Sequence, residues 1–291
     1  MTKTKLSPPI KWHGGKSYLA SKIIGLMPAR CKNPNKPDPS DPGWLHYVEP
    51  FFGGGQVMLA QDQEGISEVA NDLNSKLTNF WNVLRYKPMF DEFERLCQAT
   101  PFSAMVFGMS DCEPIFGIKP AVQQAFNFFV RCRQSLAGRM DTFTGITRTR
   151  TRRGMNAEAS AWLTAVEGLP AVHERLKRVM ILTKPAVDVI RSEDGPRTLF
   201  YCDPPYLHET RSTTGEYEHE MTEEQHKELL HTLRGCEGKV ILSGYRSELY
   251  DDMLSCTGRW HREEFDLPNN AAGGKTKQRK IECVWTNYIP F

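Results

Sequence analysis

Two kinds of hydrophobic pattern alternate in the early part of the chain. The runs "WLHYVE" and "ISEVAN" are short, apolar and bounded by loop residues, which is typical of buried strands. Each is followed by a stretch with helical spacing, "GGQVMLAQD" and "NSKLTNFWNVLRY". This strand-helix-strand-helix order predicts a parallel sheet with right-handed crossovers.

The same alternation returns toward the end of the chain. "TLFYC" and "GKVILSGY" predict further strands, and "TEEQHKELLHTLRGC" and "SELYDDMLS" predict helices. The last two strands, "WHREEFDLP" and "KIECVWTNYIPF", are joined by a Gly/Asn/Lys-rich segment and predict a closing antiparallel hairpin. The predicted fold class is therefore α/β with an open sheet.

Residues 88–185 follow a different pattern. "AVQQAFNFFVRCRQSLAG", "NAEASAWLTAVEGL" and "PAVHERLKRV" are helical, whereas "RMDTFTGITRTRTRRGM" has no helical period. We therefore predict an α/β domain built from residues 1–87 and 186–291, interrupted by a mostly helical insert over 88–185.

Composition and charge restrict the class of protein only slightly. Lys and Arg number 37 against 35 Asp and Glu, so the net charge of +2 does not by itself indicate a nucleic-acid-binding protein. The eight cysteines include no C-x-x-C pair and the histidines no zinc-like spacing, so no metal site is expected. The N-terminus has no apolar signal core, and no apolar run approaches the roughly 18 residues of a membrane span. These features predict an intracellular protein with reduced cysteines.

Three features at predicted strand ends could carry chemistry, because ligands of open α/β sheets bind beyond the carboxyl ends of the strands. "EPFFGGG" (49–55) is either a structural turn or a loop whose glycines let backbone approach a ligand. Asp72 either accepts hydrogen bonds from ribose hydroxyls or caps the next helix.

The third feature is "DPPY", which follows the strand "TLFYC". Proline has no N–H, so Asp203 and the carbonyl of Pro204 form a pair of acceptors at a rigid strand end. Tyr206 adds a flat ring beside them. Two acceptors and a ring suit an exocyclic amino group on a flat base, whereas a simple strand-ending turn would explain only the prolines.

The chain resembles the Dam-type DNA adenine-N6 methyltransferases of the phage and bacterial branch. "KWHGGK" (11–16), "EPFFGGG", "NDLN", "DPPY" and the closing "GGKTKQRKIECVWTNY" are similar to the family's motifs and occur in the same order. The resemblance implies an open Rossmann-like sheet of the S-adenosylmethionine-dependent methyltransferases, with the insert as the target-recognition part.

The resemblance also implies S-adenosylmethionine as methyl donor and a set of site residues. The catalytic residues would be Asp203, Pro204, Pro205 and Tyr206. The cofactor-binding residues would be Trp12, Lys16, Glu49, Phe51, Gly53, Gly55, Asp72 and Asp203. From the residues alone, Trp12 could instead be a core aromatic and Lys16 a solvated lysine.

The implied mechanism is direct methyl transfer. Asp203 and the Pro204 carbonyl would bind both N–H hydrogens of the adenine amino group, while Tyr206 stacks on the base. Transfer would then depend on positioning and electrostatics, with no covalent enzyme intermediate. Since the amino group is buried in a duplex, the base would be flipped out.

The arginine-rich part of the insert predicts DNA contacts. Four arginines occur within "RTRTRR", and i, i+2 spacing would place alternate ones on one face of a ribbon. The expected DNA-binding residues are Lys11, Arg148, Arg150, Arg152 and Arg153. The alternative is a solvated basic loop. The expected partner is double-stranded DNA, with no membrane association, and the expected state is a monomer or weak dimer in the cytoplasm of a bacterial or phage-infected cell.

Other activities remain open at this point. A cytosine-N4 methyltransferase would also use "DPPY", although "KWHGGK" favours adenine. A nicotinamide-dependent oxidoreductase would leave "DPPY" unexplained, and "GGG" lacks G-x-G-x-x-G spacing. A DNA-binding module without catalysis would not need the full set of catalytic residues.

Overall fold

The computed structural model describes residues 6–12, 14–32, 40, 43–110, 115–207, 220–255, 258–268 and 279–290. The chain divides into two compact units. The first unit contains Met1–Ser21, Gly53–Asp62 and Asn74–Thr183, and the second contains Lys22–Phe52, Gln63–Leu73 and Lys184–Phe291. The predicted domain boundaries near residues 88 and 185 stay predictions.

Helices and strands alternate along most of the described chain. In chain order they are α1 (Ala20–Leu26), β1 (His46–Glu49), α2 (Gln56–Ala60), β2 (Ser67–Asn71), α3 (Ser75–Arg85), α4 (Lys87–Gln98), α5 (Ala104–Met109), α6 (Pro120–Gln134), a 3₁₀ turn (Leu136–Gly138), β3 (Thr151–Arg152), β4 (Met155–Asn156), α7 (Ala157–Glu167), α8 (Leu169–Leu176), β5 (Val179–Leu182), α9 (Ala186–Glu193), β6 (Thr198–Cys202), α10 (Glu223–Gly235), β7 (Lys239–Gly244), α11 (Glu248–Ser255), β8 (His261–Pro268) and β9 (Arg279–Thr286).

The second unit is built on a sheet in which strands run in the order β2-β1-β6-β7-β9-β8. Strands β2, β1, β6 and β7 are parallel, with Val48 opposite both Val69 and Phe200. Every residue of β6 is buried, as expected for a central strand of a parallel sheet covered on both faces. The sequence prediction of an open Rossmann-like sheet is confirmed.

The predicted closing hairpin is also confirmed. Strand β9 pairs antiparallel with both β7 and β8, and Gly244 at the end of β7 lies opposite Cys283. The connecting segment, residues 269–278, lies outside the described part of the chain.

The first unit has a core of aromatic side chains between helices. The ring centroid of Phe80 lies 5.0 Å from that of Trp81 and 5.9 Å from that of Phe129. The ring centroid of Phe129 lies 5.2 Å from that of Trp162. Helix α3 starts at a side-chain cap, because the Asn74 carboxamide oxygen accepts from the backbone N–H groups of Lys76 and Leu77 in the first turn. The helices of the first unit therefore share one packed aromatic core.

The arginine-rich segment contains a short hairpin. Arg152 lies opposite Met155, so Arg153 and Gly154 form a two-residue loop. Both have positive φ, 55° and 73°, as a type I′ turn requires. The predicted ribbon exists but is short, and Arg148 lies in a bend before it.

Some elements were missed in the sequence. "PAVHERLKRV" was predicted as helix to its end, whereas α8 ends at Leu176 and the apolar run Val179–Leu182 forms β5. Helices α1 and α9 were not predicted either, because both are short. No described helix is long and apolar enough to cross a membrane.

Candidate active site

The carboxyl ends of the parallel strands bring several predicted site residues to one edge of the sheet. Glu49 ends β1, Asp72 follows β2 and Asp203 follows β6. Tyr245, which was not predicted, follows β7 at the same edge. Since these strands are parallel, the side chains at their ends belong to one region of the second unit.

Tyr206 is held by contacts on its hydroxyl and on its ring. Its hydroxyl donates a hydrogen bond to Glu282 Oε1 and lies 3.3 Å from Asp203 Oδ1. Its ring packs edge to face with Tyr245, with the centroids 4.5 Å apart and the planes at 74°. The segment after β6 therefore fixes Asp203 and Tyr206 relative to each other.

The hydroxyl of Tyr206 stays protonated over the physiological range. Burial raises its pKa well above the usual value, and the neighbouring carboxylates Asp203 and Glu282 raise it further. The side chain is only 8% exposed. Stacking of this ring on a base stays a prediction, but its role as a hydrogen-bond donor inside the protein is defined.

Glu282 was also missed in the sequence. It lies on β9 and is 3% exposed, whereas its neighbour Ile281 is 51% exposed. The signal was an acidic residue inside the otherwise apolar run "IECVW". Burial of that acid could not be assigned without knowing that it contacts Tyr206.

The start of the predicted cofactor loop is fastened to the end of β2. The Asn71 side chain donates to the Pro50 carbonyl at 2.9 Å, and the Phe52 N–H donates to the Asn71 carbonyl at 2.8 Å. Glu49 is 1% exposed and accepts from the Tyr47 hydroxyl at 2.8 Å. Phe51 between them is half-buried. The loop therefore leaves the sheet in a fixed direction.

The helix-cap alternative for Asp72 is wrong. The residue that caps α3 is Asn74, whose Oδ1 accepts from the N–H groups of Lys76 and Leu77 at 3.0 Å. Asp72 lies before the cap, immediately after β2.

The glycines of the predicted loop lie against Trp12 in the first unit. A Cβ on Gly53 would lie 2.9 Å from Trp12 Nε1, and one on Gly54 would lie 2.7 Å from Trp12 Cβ. Gly53 and Gly55 have φ of 50° and 69°, which only glycine adopts without strain. The Trp81 indole N–H donates to the Gly53 carbonyl at 3.1 Å. Glycine is therefore needed here for both backbone conformation and space.

Lys16, which follows Trp12 closely in the chain, is a buried lysine. It is 5% exposed, and its ammonium donates to the Gly14 carbonyl at 3.2 Å. The alternative of a solvated lysine is therefore wrong. A buried ammonium is uncommon and requires compensating partners.

The predicted DNA-binding residues have different environments. The side chains of Arg148, Arg150 and Arg152 are exposed and make no ion pair within the described part of the chain. Arg153 instead forms a two-pronged ion pair with Glu167, with both N–O distances at 2.9 Å. Its guanidinium is therefore used to hold the hairpin on α7.

Lys11 lies far from that hairpin in the sequence and is half-buried. Burial lowers its pKa, the nearby Arg133 guanidinium lowers it further, and Glu158 partly offsets both. Among the described residues no cluster of His, Cys, Asp and Glu could hold a metal ion.

These features define an enzyme of the α/β methyltransferase class, and the comparisons identify its family. The chain belongs to the D12 class N6 adenine-specific DNA methyltransferases, whose family model matches residues 12–266. It is therefore an adenine-N6 DNA methyltransferase, as the sequence motifs predicted. The cytosine-N4, oxidoreductase and non-catalytic alternatives are not supported.

Two relatives illustrate the range of similarity. The type II methyltransferase M.MjaIII of Methanocaldococcus jannaschii is 24% identical over 310 residues, covering 98% of this chain and 100% of that protein. The type II methyltransferase M1.LlaDCHI of Lactococcus lactis subsp. cremoris is 33% identical over 86 residues, which is 30% of this chain and 25% of that protein.

Proposed function

We propose that this enzyme takes its methyl group from S-adenosylmethionine and positions the adenine amino group with Asp203 and the Pro204 carbonyl. The observation that carries the proposal is the fixed Asp203–Tyr206 segment at the carboxyl end of β6, where open α/β sheets bind their ligands.

The residues present fit the proposed cofactor. Asp72 follows β2, where an acid suits the ribose hydroxyls of a nucleoside. The half-buried Trp12 ring lies on the glycine loop and offers an apolar surface. The buried Lys16 ammonium suits the methionine carboxylate. S-adenosylmethionine supplies an activated methyl group on a sulfonium.

The adenine amino group is a weak nucleophile, and Asp203 and the Pro204 carbonyl would make it a stronger one. Its lone pair is conjugated with the ring. Two acceptors that bind its N–H hydrogens favour a more tetrahedral nitrogen, with the lone pair directed at the methyl group. The protein contributes positioning and electrostatic stabilisation, as in other group transfers without a covalent intermediate.

Cys202 does not act as a nucleophile in this proposal. It is fully buried in β6, and burial raises the pKa of its thiol well above the usual value. A thiol is a much weaker nucleophile than a thiolate.

The target amino group is paired inside a duplex, so the base must leave the stack to reach Asp203. We propose that the exposed Arg148, Arg150 and Arg152 bind DNA, where arginine holds phosphates or grips guanine edges. Their exposure and the absence of ion pairs to the described residues support this role.

The test is methylation of plasmid DNA by the purified protein with S-adenosylmethionine, followed by sequencing of the modified positions. Asp203→Ala is expected to abolish N6-methyladenine formation while the circular dichroism spectrum is unchanged. Asp252→Ala, which changes an exposed acid on α11, is the matched control. Near-normal activity of folded Asp203→Ala would disprove the assignment.

The cofactor assignment is tested separately by calorimetric titration with S-adenosylmethionine. Trp12→Ala and Asp72→Ala are each expected to weaken binding. Unchanged affinity in both variants would mean that the cofactor binds elsewhere.

A further inference from the structure

We propose that Glu282 is a positioning residue for methyl transfer, which acts by taking the hydrogen bond of the Tyr206 hydroxyl away from Asp203. This inference rests on the proposed catalytic role of Asp203.

The closing hairpin brings Glu282 to the edge of the sheet where the parallel strands end. Strand β9 runs antiparallel to β7, and Cys283 pairs with Gly244, the last residue of β7. Glu282 is the next residue of β9 beyond that pair, so it lies level with Tyr245, where the parallel strands end. Its side chain is 3% exposed and accepts from Tyr206.

Tyr206 has one hydroxyl hydrogen and two carboxylates within reach. The hydroxyl donates to Glu282 Oε1, while Asp203 Oδ1 lies 3.3 Å from the same hydroxyl. A hydroxyl donates one hydrogen bond. Donation to Glu282 therefore leaves Asp203 as the better acceptor for an amino group.

Removal of Glu282 would redirect the hydroxyl. Its hydrogen would turn to Asp203 Oδ1, since a buried donor without an acceptor is costly. Asp203 would then accept from the tyrosine at Oδ1, which weakens that carboxylate as an acceptor for the substrate amino group. The expected defect is in the methyl-transfer step, with little change in cofactor binding.

Strand stability does not explain a buried acid at this position. A buried carboxylate loses hydration, and replacing a buried ionic group by a well-packed apolar residue is often neutral or stabilising. On the same hairpin, Glu263 is exposed and its carboxylate keeps its hydration. Glu282 differs from Glu263 in that it is buried and accepts from Tyr206.

The experiment measures the single-turnover rate of N6-methyladenine formation, with enzyme in excess over duplex DNA, and KM for S-adenosylmethionine. Glu282→Leu is expected to lower the rate about 10- to 100-fold, the usual effect of losing a hydrogen bond to a charged group. KM should change little. Glu282→Gln keeps an acceptor oxygen and should restore most of the rate. Glu263→Leu is the matched control and should behave as wild type.

The decisive comparison is made in the Tyr206→Phe background. Without the hydroxyl there is nothing to redirect, so adding Glu282→Leu or Glu282→Gln should cause little further loss. A wild-type rate in Glu282→Leu, or losses that multiply in the double variants, would overturn the proposal.

Should Glu282→Leu fail to fold, Glu282→Ala, which also removes the acceptor but has a smaller side chain, is compared in both backgrounds. Its loss must disappear in the Tyr206→Phe background, and persistence there would refute the mechanism. Full activity of Asp203→Ala would instead refute the proposed function, so the two failures are distinguishable.

Discussion

Gly53→Ala tests whether the glycine loop and Trp12 form one packed unit. The new Cβ would lie 2.9 Å from Trp12 Nε1 and 3.0 Å from Cδ1, closer than ordinary van der Waals contact. The loop backbone cannot easily retreat, because the Gly53 carbonyl is held by the Trp81 indole. The Trp12 ring must therefore move.

The magnitude has two parts. A φ of 50° is left-handed, which costs a non-glycine residue about 1–2 kcal/mol. Overpacking against the indole adds about 1–3 kcal/mol. The expected loss of unfolding free energy is their sum, about 2–5 kcal/mol, a large part of the usual stability of a domain.

A double-mutant cycle with Trp12→Ala separates the two parts. Both clashing atoms belong to the indole, so Trp12→Ala removes the collision and leaves only the backbone strain. Gly53→Ala should therefore cost about 1–2 kcal/mol in that background, measured by urea denaturation with an unchanged m value.

The control is Gly25→Ala, since a Cβ there meets nothing within 4 Å and the residue lies inside α1. This change should be neutral or slightly stabilising. If the effects of Gly53→Ala and Trp12→Ala add to within about 0.5 kcal/mol, the proposed packing is refuted.

Three further predictions concern separate parts of the chain. Arg150→Ala and Arg152→Ala should each either lower the slope of log DNA affinity against log salt concentration by about one unit or relax specificity at one base pair. The measurements are binding at several salt concentrations and methylation-site sequencing. Wild-type behaviour of both variants would place recognition elsewhere. Asn71→Leu should cost about 2–4 kcal/mol of unfolding free energy in urea denaturation, because its buried side chain bonds the Pro50 carbonyl and the Lys184 backbone; a loss well under 1 kcal/mol would contradict this. The pKa of Lys11 is lowered in the folded state, so the unfolded state binds more protons between that pKa and about 10.5. The free energy of unfolding should therefore rise with pH in that window. Lys11→Met should reduce the rise, and an identical pH profile in this variant would contradict the shift.

The sequence predicted the sheet and the main motifs because their signals are local. Glycines at 53 and 55 are required by positive φ, and "DPPY" follows a fully buried strand. Glu282 and Tyr245 could not be predicted, because their importance comes from contacts with Tyr206 across the sheet. Local pattern also failed for β5, whose four apolar residues follow helix α8 after a gap of only Lys177 and Arg178.

The four arginines that the sequence grouped together have two different environments in the structure. A two-residue hairpin loop needs positive φ at both positions, which Asn-Gly satisfies best, yet this chain has Arg153-Gly154. Left-handed backbone at an arginine is strained, and the bidentate pair with Glu167 fixes the position of its side chain on α7. Arg153 therefore holds the turn next to Arg152, whose side chain is exposed. A short basic loop can thus present exposed guanidiniums in a fixed geometry, because one member of the run is committed to the protein itself.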